Sequence, residues 1–310
     1  MKVFYQLLTL FLTSNQLLNA QYATKLVVAQ DGSGDYSSIQ AAIDNTKSFP
    51  DQAVTIFIRK GIYKEKARVY PWNTNLSLIG EDKSNTIITF DDHFKRINRG
   101  RNSTFHTYTL AVEANDVTLK NLSIINEAGA VGQAIALSIS GDRCIVENCN
   151  IIGHQDALYC TGEQSRQYFK NCKIEGTTDF IFGNATALFE YCEIQAKANS
   201  YITAASTTSR QEYGLVFKNC TLTAADGINS VYLGRPWRAY AKTIFINCTY
   251  GDHIVAEGWK AWSNKEDLTT TFYAEYPKPK SQNRVSWSKT LHKRTAKRYT
   301  TSRIFRGWKP

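Results

Sequence analysis

The segment Val146-Glu147-Asn148-Cys149 returns 23 residues later as Phe169-Lys170-Asn171-Cys172, and this repeat decides the fold. Further copies recur at intervals of 20 to 28 residues, at 119–122, 189–192, 217–220 and 245–248. Each copy has an apolar residue, two mostly polar residues and then Cys or Leu. Short alternating segments rich in β-forming residues are typical of strands.

One such strand cannot bury its inner face alone, but copies stacked in parallel form a continuous core. Like residues then align at the strand spacing of about 4.8 Å, and the repeat cysteines form an interior ladder of small hydrophobic groups. A leucine-rich horseshoe would need helical segments and a regular leucine pattern, which the sequence lacks. It therefore predicts an all-β, right-handed, single-stranded parallel β-helix with short peripheral helices and loops.

Polar residues follow the same period. Gln133, Asp156 and Asp179 are separated by 23 and 23 residues, one coil each time. Residues one coil apart stack, so the two carboxylates should lie close together on one outer face. Gln155 adjoins Asp156, and neighbours in a flat strand point to opposite faces. Both reach one site only if the chain bends there.

Two close carboxylates rarely both stay ionised, so the pair can divide its work between acid and nucleophile. The guanidinium of Arg235, further along the chain, would keep one of them charged and oriented. Amides of Gln133 and Gln155 would stabilise an oxyanion, which is typically worth about 3 kcal/mol per donor. The set suits acyl transfer to a carboxylate, although spacing alone also permits a solvated Asp/Gln ladder.

Seven segments, in order, resemble the motifs of pectin methylesterases. They span residues 31–36, 61–65, 133–137, 155–158, 174–183, 233–237 and 257–262. The likeness runs from about Val27 to the C-terminus. It implies an aspartyl esterase, needing no cofactor or metal, that removes C6 methyl esters from homogalacturonan.

The resemblance also implies roles for individual residues. Asp179 is the expected nucleophile, and Asp156 the group that protonates methanol and then activates water. Gln155 and Gln133 are expected to hold the oxyanion, with Gln133 also touching substrate. Arg235 is expected to orient Asp179 and contact the sugar acid.

Further expectations from the resemblance concern the walls of the site. Trp237 and Phe180 should supply apolar surfaces for sugar rings, and Thr104 should touch substrate. Cys172 and Cys192 match a family disulfide between neighbouring coils. Two departures from the family pattern, His154 and Ala157, are expected to alter subsite contacts rather than chemistry.

The N-terminus resembles an export signal. Lys2 precedes the apolar run 7–12, which is too short to span a bilayer, and small residues follow at Ala20 and Ala23. We expect residues 1–20 to be a signal peptide and residues 21–310 a secreted β-helix domain. A buried strand or helix is the alternative for the first segment.

Charge is uneven along the chain. The formal net charge is +10, and residues 277–310 hold eleven Lys or Arg and no acid, which leaves 26 basic and 27 acidic residues elsewhere. Such a tail favours polyanions, and in a secreted protein an acidic polysaccharide fits better than nucleic acid or membrane. A merely solvated tail is the alternative.

Seven cysteines, an odd number, leave at least one thiol free or paired outside the chain. Six sequons permit glycosylation, although a structural role for Asn competes where sequons fall inside the repeats. They are Asn75, Asn102, Asn121, Asn184, Asn219 and Asn247. Expected partners are methyl-esterified pectin and, from the resemblance, plant pectinesterase inhibitor proteins, with the enzyme itself a monomer.

Other functions are weighed against this one. The chain lacks a Gly-x-Ser-x-Gly elbow, Cys-x-x-Cys zinc spacing and a complete phosphate loop. A polygalacturonase would need acid and water-activating carboxylates at a suitable separation, and a pectate lyase a calcium-binding acidic cluster. A non-catalytic pectin-binding relative would have lost one of the five site residues, and all five are present.

Overall fold

The computed structural model describes residues 22–263, 268–277 and 283–310, where short strands alternate with tight turns. The strands in chain order are β1 Lys25–Val28, β2 Val54–Ile58, β3 Gly61–Lys64, β4 Ala67–Val69, β5 Leu76–Gly80, β6 Thr86–Phe90, β7 Leu110–Val112, β8 Thr118–Lys120, β9 Ser123–Asn126, β10 Leu137–Ile139, β11 Cys144–Glu147, β12 Asn150–Ile152, β13 Leu158–Cys160, β14 Arg166–Lys170, β15 Lys173–Gly176, β16 Ile181–Gly183, β17 Thr186–Glu190, β18 Glu193–Ala196, β19 Tyr201–Ala205, β20 Leu215–Lys218, β21 Thr221–Ala224, β22 Tyr232–Pro236, β23 Lys242–Ile246, β24 Thr249–Tyr250, β25 Phe272–Tyr276 and β26 Lys289–Thr290. The helices are α1 Ile39–Asp44, α2 Phe94–Ile97, a 3-10 helix Gly100–His106, α3 Lys293–Ala296 and α4 Thr301–Ile304.

From β2 to β24 successive strands join three parallel sheets in turn, so each complete coil contributes one strand to each sheet, and β1, β25 and β26 extend the first sheet alone. Sheet 1 runs β1-β2-β5-β8-β11-β14-β17-β20-β23-β25-β26, sheet 2 runs β3-β6-β9-β12-β15-β18-β21-β24, and sheet 3 runs β4-β7-β10-β13-β16-β19-β22. This arrangement confirms the predicted right-handed parallel β-helix. Its core fills the space between the three sheets.

Stacked columns of like side chains fill that core. One column consists of aromatic rings 4.5 Å apart, from Phe169, Phe189, Phe217 and Phe245. A second consists of buried thiols, from Cys149, Cys172, Cys192 and Cys220. The predicted cysteine ladder is therefore confirmed. Each fully buried Phe contributes about 1.5–3 kcal/mol from apolar burial, so the repeats stabilise the coil mainly through these columns.

The repeated Asn of the motif has a backbone role at the corner between sheet 1 and sheet 2. Five such residues have φ between 52° and 55°, namely Asn121, Asn148, Asn171, Asn219 and Asn247. Asn tolerates this left-handed conformation better than most residues. The Asn148 amide also donates to Oδ1 of Asn121 at 2.8 Å. A corner role thus accounts for the Asn of the three sequons that lie in the repeats.

The expected disulfide between Cys172 and Cys192 is not formed, and all seven cysteines are free thiols. The two thiols pack as ladder neighbours on adjacent coils, and Cys172 Sγ donates to the carbonyl of Val146 at 3.3 Å.

The predicted signal peptide, residues 1–20, lies outside the described residues. Over the three ranges that the structure describes, no helix is both long and apolar enough to cross a bilayer.

Candidate active site

The site lies on the outer side of sheet 3, where two turns carry acidic residues into strands. Asp156 precedes β13 by two residues and Asp179 precedes β16 in the same way, and Leu158 of β13 pairs with Ile181 of β16. The two aspartates are therefore in register on adjacent coils and line one pocket. Their φ values are 65° and 51°, so the chain bends at both, as the juxtaposition of Gln155 and Asp156 requires.

The 23-residue step does not extend back to Gln133. Gln133 pairs across the coils with Gln155 rather than with Asp156, because the intervening coil is one residue shorter in this region. Both glutamines line the pocket beside the aspartates. The two amides thus form a pair on neighbouring coils, displaced by one position from the carboxylate pair.

Arg235 of β22 holds Asp179 through two charged hydrogen bonds. Nε donates to Oδ1 at 3.0 Å and Nη2 donates to Oδ2 at 2.7 Å. The guanidinium is itself sandwiched between two rings, with Tyr201 at 4.1 Å and Trp262 at 4.0 Å from its central carbon to each ring centroid. Bidentate pairing fixes the direction of the carboxylate, and the rings fix the plane of the guanidinium.

The electrostatics of the two carboxylates differ. Burial raises the pKa of Asp179, which is 5% exposed, while the hydrogen bonds and charge of Arg235 oppose that rise. Burial and the negative charge of Asp179 raise the pKa of Asp156 well above its ordinary value, and Arg235 offsets this only through its more distant charge. Asp156 therefore keeps its proton to a higher pH than Asp179, whose charged form Arg235 stabilises.

The prediction that Phe180 forms a wall of the site is wrong. Its side chain is fully buried in the core between the sheets, because the left-handed turn at Asp179 directs the next side chain inward. The aromatic wall is Phe182, which lines the pocket, stacks on Tyr159 at 4.5 Å and meets Trp237 edge to face at 5.9 Å.

Other pocket residues include two that were expected and four that were missed. Thr104 and Trp237 line the pocket as predicted. The segment holding α2 and the 3-10 helix also contributes Phe94, Arg101 and Phe105, and Trp262 comes from the loop after β24. Trp262 is the last residue of the 257–262 motif, so that motif could have identified it. Phe94, Arg101 and Phe105 belong to no motif, and only their closeness to Thr104 in the sequence could have suggested them.

Neither departure from the family pattern lines the pocket. Ala157 is fully buried and packs close to Gly153, so it adjusts core packing rather than a subsite. His154 does not line the pocket; burial and the charge of Lys197 lower its pKa. The prediction that both residues alter subsite contacts is therefore wrong for Ala157.

Across the described ranges, no group of three or more His, Cys, Asp or Glu side chains is arranged to hold a metal ion. The pocket itself offers two carboxylates, two amides and the guanidinium groups of Arg235 and Arg101, a set that can attack a carbonyl, transfer a proton and stabilise an oxyanion.

Comparison with known proteins gives consistent matches. A family model described as Pectinesterase matches residues 25–308. Probable pectinesterase/pectinesterase inhibitor 58 of Arabidopsis thaliana is 35% identical over 306 residues, which cover 92% of this chain and 53% of that protein. The chain therefore spans about half the length of this relative.

Solved structures agree over most of the chain. Pectin methylesterase from carrot superposes with a TM-score of 0.84 at 30% identity, covering 91% of this chain and 93% of that one. A pectin methylesterase in complex with a hexasaccharide superposes with a TM-score of 0.78 at 26% identity, covering 94% and 98%.

Proposed function

Because the chain belongs to the pectinesterase family, we propose that it hydrolyses the C6 methyl esters of pectin, yielding pectate and methanol. One observation carries this proposal: Asp179, fixed by Arg235, shares a pocket with Asp156, whose pKa is raised. A related structure with a hexasaccharide supports a sugar polymer as substrate.

In the first step, Asp179 attacks the ester carbonyl while the Gln133 and Gln155 amides donate to the developing oxyanion. The tetrahedral intermediate collapses to an anhydride-type acyl-enzyme, and protonated Asp156 gives its proton to the departing methanol. Ionised Asp156 then takes a proton from water, which attacks the acyl carbonyl. Asp179 leaves as a carboxylate and Asp156 is again protonated.

The setting of this activity is part of the proposal. Export through a signal peptide at residues 1–20, with residues 21–310 as the working domain, is supported by the polar–apolar–small pattern of the N-terminus. Plant pectinesterase inhibitor proteins are proposed partners, and the enzyme is proposed to act as a monomer without a cofactor.

A paired assay tests the activity against its alternatives. Methanol release and polymer length are measured together on highly methylated pectin. An esterase releases methanol and leaves the polymer length unchanged, whereas a polygalacturonase or lyase shortens it. A non-catalytic binder retains pectin and does neither, so absence of methanol from correctly folded protein would end the proposal.

Trp262→Ala tests the ring sandwich around Arg235. It is expected to lower kcat about tenfold, because one of the two rings that hold the guanidinium is lost and a cation–π contact contributes about 0.5–2 kcal/mol. Trp262→Phe keeps a ring face and should recover most of the rate. Equal losses in both variants would contradict positioning through the ring. The melting temperature should change little, since Trp262 is 40% exposed.

A further inference from the structure

The last twenty residues of the chain, 291–310, form a strap across the outside of sheet 1 rather than a solvated coat. The outer face of that sheet carries an in-register apolar row, formed by Ile145, Tyr168, Leu188, Val216, Ile244 and Ala274. At one end Leu291 and Ala296 pack on Ile244 and Ala274. Further along, Ile304 and Phe305 pack on Tyr168, Leu188 and Val216.

We call residues 291–310, which follow β26, the C-terminal strap. Five strand spacings separate the ends of the apolar row, so the strap covers about 24 Å of the sheet. Polar contacts also fix its far end, where Arg166 donates to the carbonyl of Phe305 at 3.1 Å and lies over the ring of Trp308. The strap is therefore a built surface with one apolar side against the sheet.

The other side of the strap is a strip of exposed cations. Seven Lys and Arg residues face solvent, namely Lys293, Arg294, Lys297, Arg298, Arg303, Arg306 and Lys309. The strap contains no acid, and none of the seven forms an ion pair with a residue in the described ranges. Their charge is therefore available to a partner.

Two acids beside the strap are already paired with cations of the coil. Asp142 pairs with Arg143 and Arg166. Glu190 pairs with Lys218 at 2.8 Å and accepts from the Tyr168 hydroxyl. The strip lies on sheet 1 and the active site on sheet 3, so the two occupy different faces of the coil.

We propose that the strap is a second binding site, separate from the active site, for demethylated homogalacturonan. A row of exposed cations about 24 Å long fits a linear polyanion. The choice of a polyuronate rests on the proposed function: each hydrolysis consumes one water and leaves one carboxylate on the polymer for each methanol released. The strap then retains the enzyme on stretches where the reaction has already occurred.

The test compares two variants with the same change in net charge. The strap variant carries Lys293→Gln, Lys297→Gln and Lys309→Gln. The control carries Lys25→Gln, Lys47→Gln and Lys60→Gln, three exposed lysines from the first coils. Binding to polygalacturonate is measured at low and at raised salt. The strap variant should bind about tenfold more weakly, at roughly twofold per lost charge, and with less dependence on salt, while the control should change less than about twofold.

Several outcomes decide the proposal. Equal weakening in both variants would overturn it, since net charge alone would then explain binding. Tighter binding of the unmodified protein to duplex DNA than to polygalacturonate, at matched polymer charge, would overturn the assignment to a polyuronate. Methanol release from a short methylated oligogalacturonide should be unchanged in both variants. Absence of that activity from the unmodified protein would contradict the proposed function. Binding of polygalacturonate to the strap is measured separately and does not depend on methanol release.

Discussion

Asp179→Asn is expected to lower methanol release from methylated pectin by at least about 10³-fold, because an amide cannot act as the attacking carboxylate. The fold should survive the change. Asn adopts the left-handed conformation that position 179 requires (φ 51°) as readily as Asp does, and its amide oxygen can still accept from Arg235. The measurement is kcat for methanol release, with pectin binding measured in parallel.

Two measurements show whether Asp179→Asn is still folded and still binds substrate: its unfolding temperature and its affinity for pectin. Both should stay near those of the unmodified protein, because the substitution removes a charge but no packing. Near-normal turnover in correctly folded Asp179→Asn would refute the nucleophile assignment. Loss of pectin binding together with activity would instead point to a role in substrate binding.

Asp156→Asn is expected to lower kcat about 10²- to 10⁴-fold, the range of general acid–base catalysis. The raised pKa of Asp156 also predicts a pH dependence. Below that pKa the carboxyl holds the proton that methanol needs, so acid catalysis by Asp156 is present there and is lost as pH rises through it. The unmodified enzyme should therefore show an alkaline fall in activity that the variant lacks.

The pH profile of kcat separates this role from a structural one. Asn also suits the left-handed backbone at position 156 (φ 65°), so the variant should fold normally. An unchanged alkaline limb in Asp156→Asn would assign the titration to another group and remove Asp156 from the proton-transfer role.

The fold was predictable because its determinants repeat. Three positions of the motif recur on successive coils: an apolar Phe, Val or Leu, then a corner Asn or Tyr, then a Cys or Leu. Residues at each position stack on one another as predicted. The C-terminal strap was not predictable in this way. Its apolar residues follow neither the repeat nor a regular period, and the row that they cover lies on the outside of the coil.

The sequence predicted most of the residues that form the site, but not the direction in which every side chain points. Asp156, Asp179 and Arg235 converge as expected. Gln133 stacks on Gln155 because one coil is a residue shorter, and Phe182 replaces Phe180 because Asp179 turns the chain. Coil length and the backbone bend before each strand therefore decide which neighbouring side chain faces the pocket.

The sequence by itself determined the coil, the identity of the reacting groups and their order along the chain, since these depend on residue type and spacing. Tertiary structure alone decided which side chains face the pocket, that neighbouring cysteines pack as thiols, that Trp262 stacks on Arg235, and that residues 291–310 form a strap. Those features depend on backbone direction at left-handed turns and on contacts between segments far apart in the chain, and no local pattern encodes either.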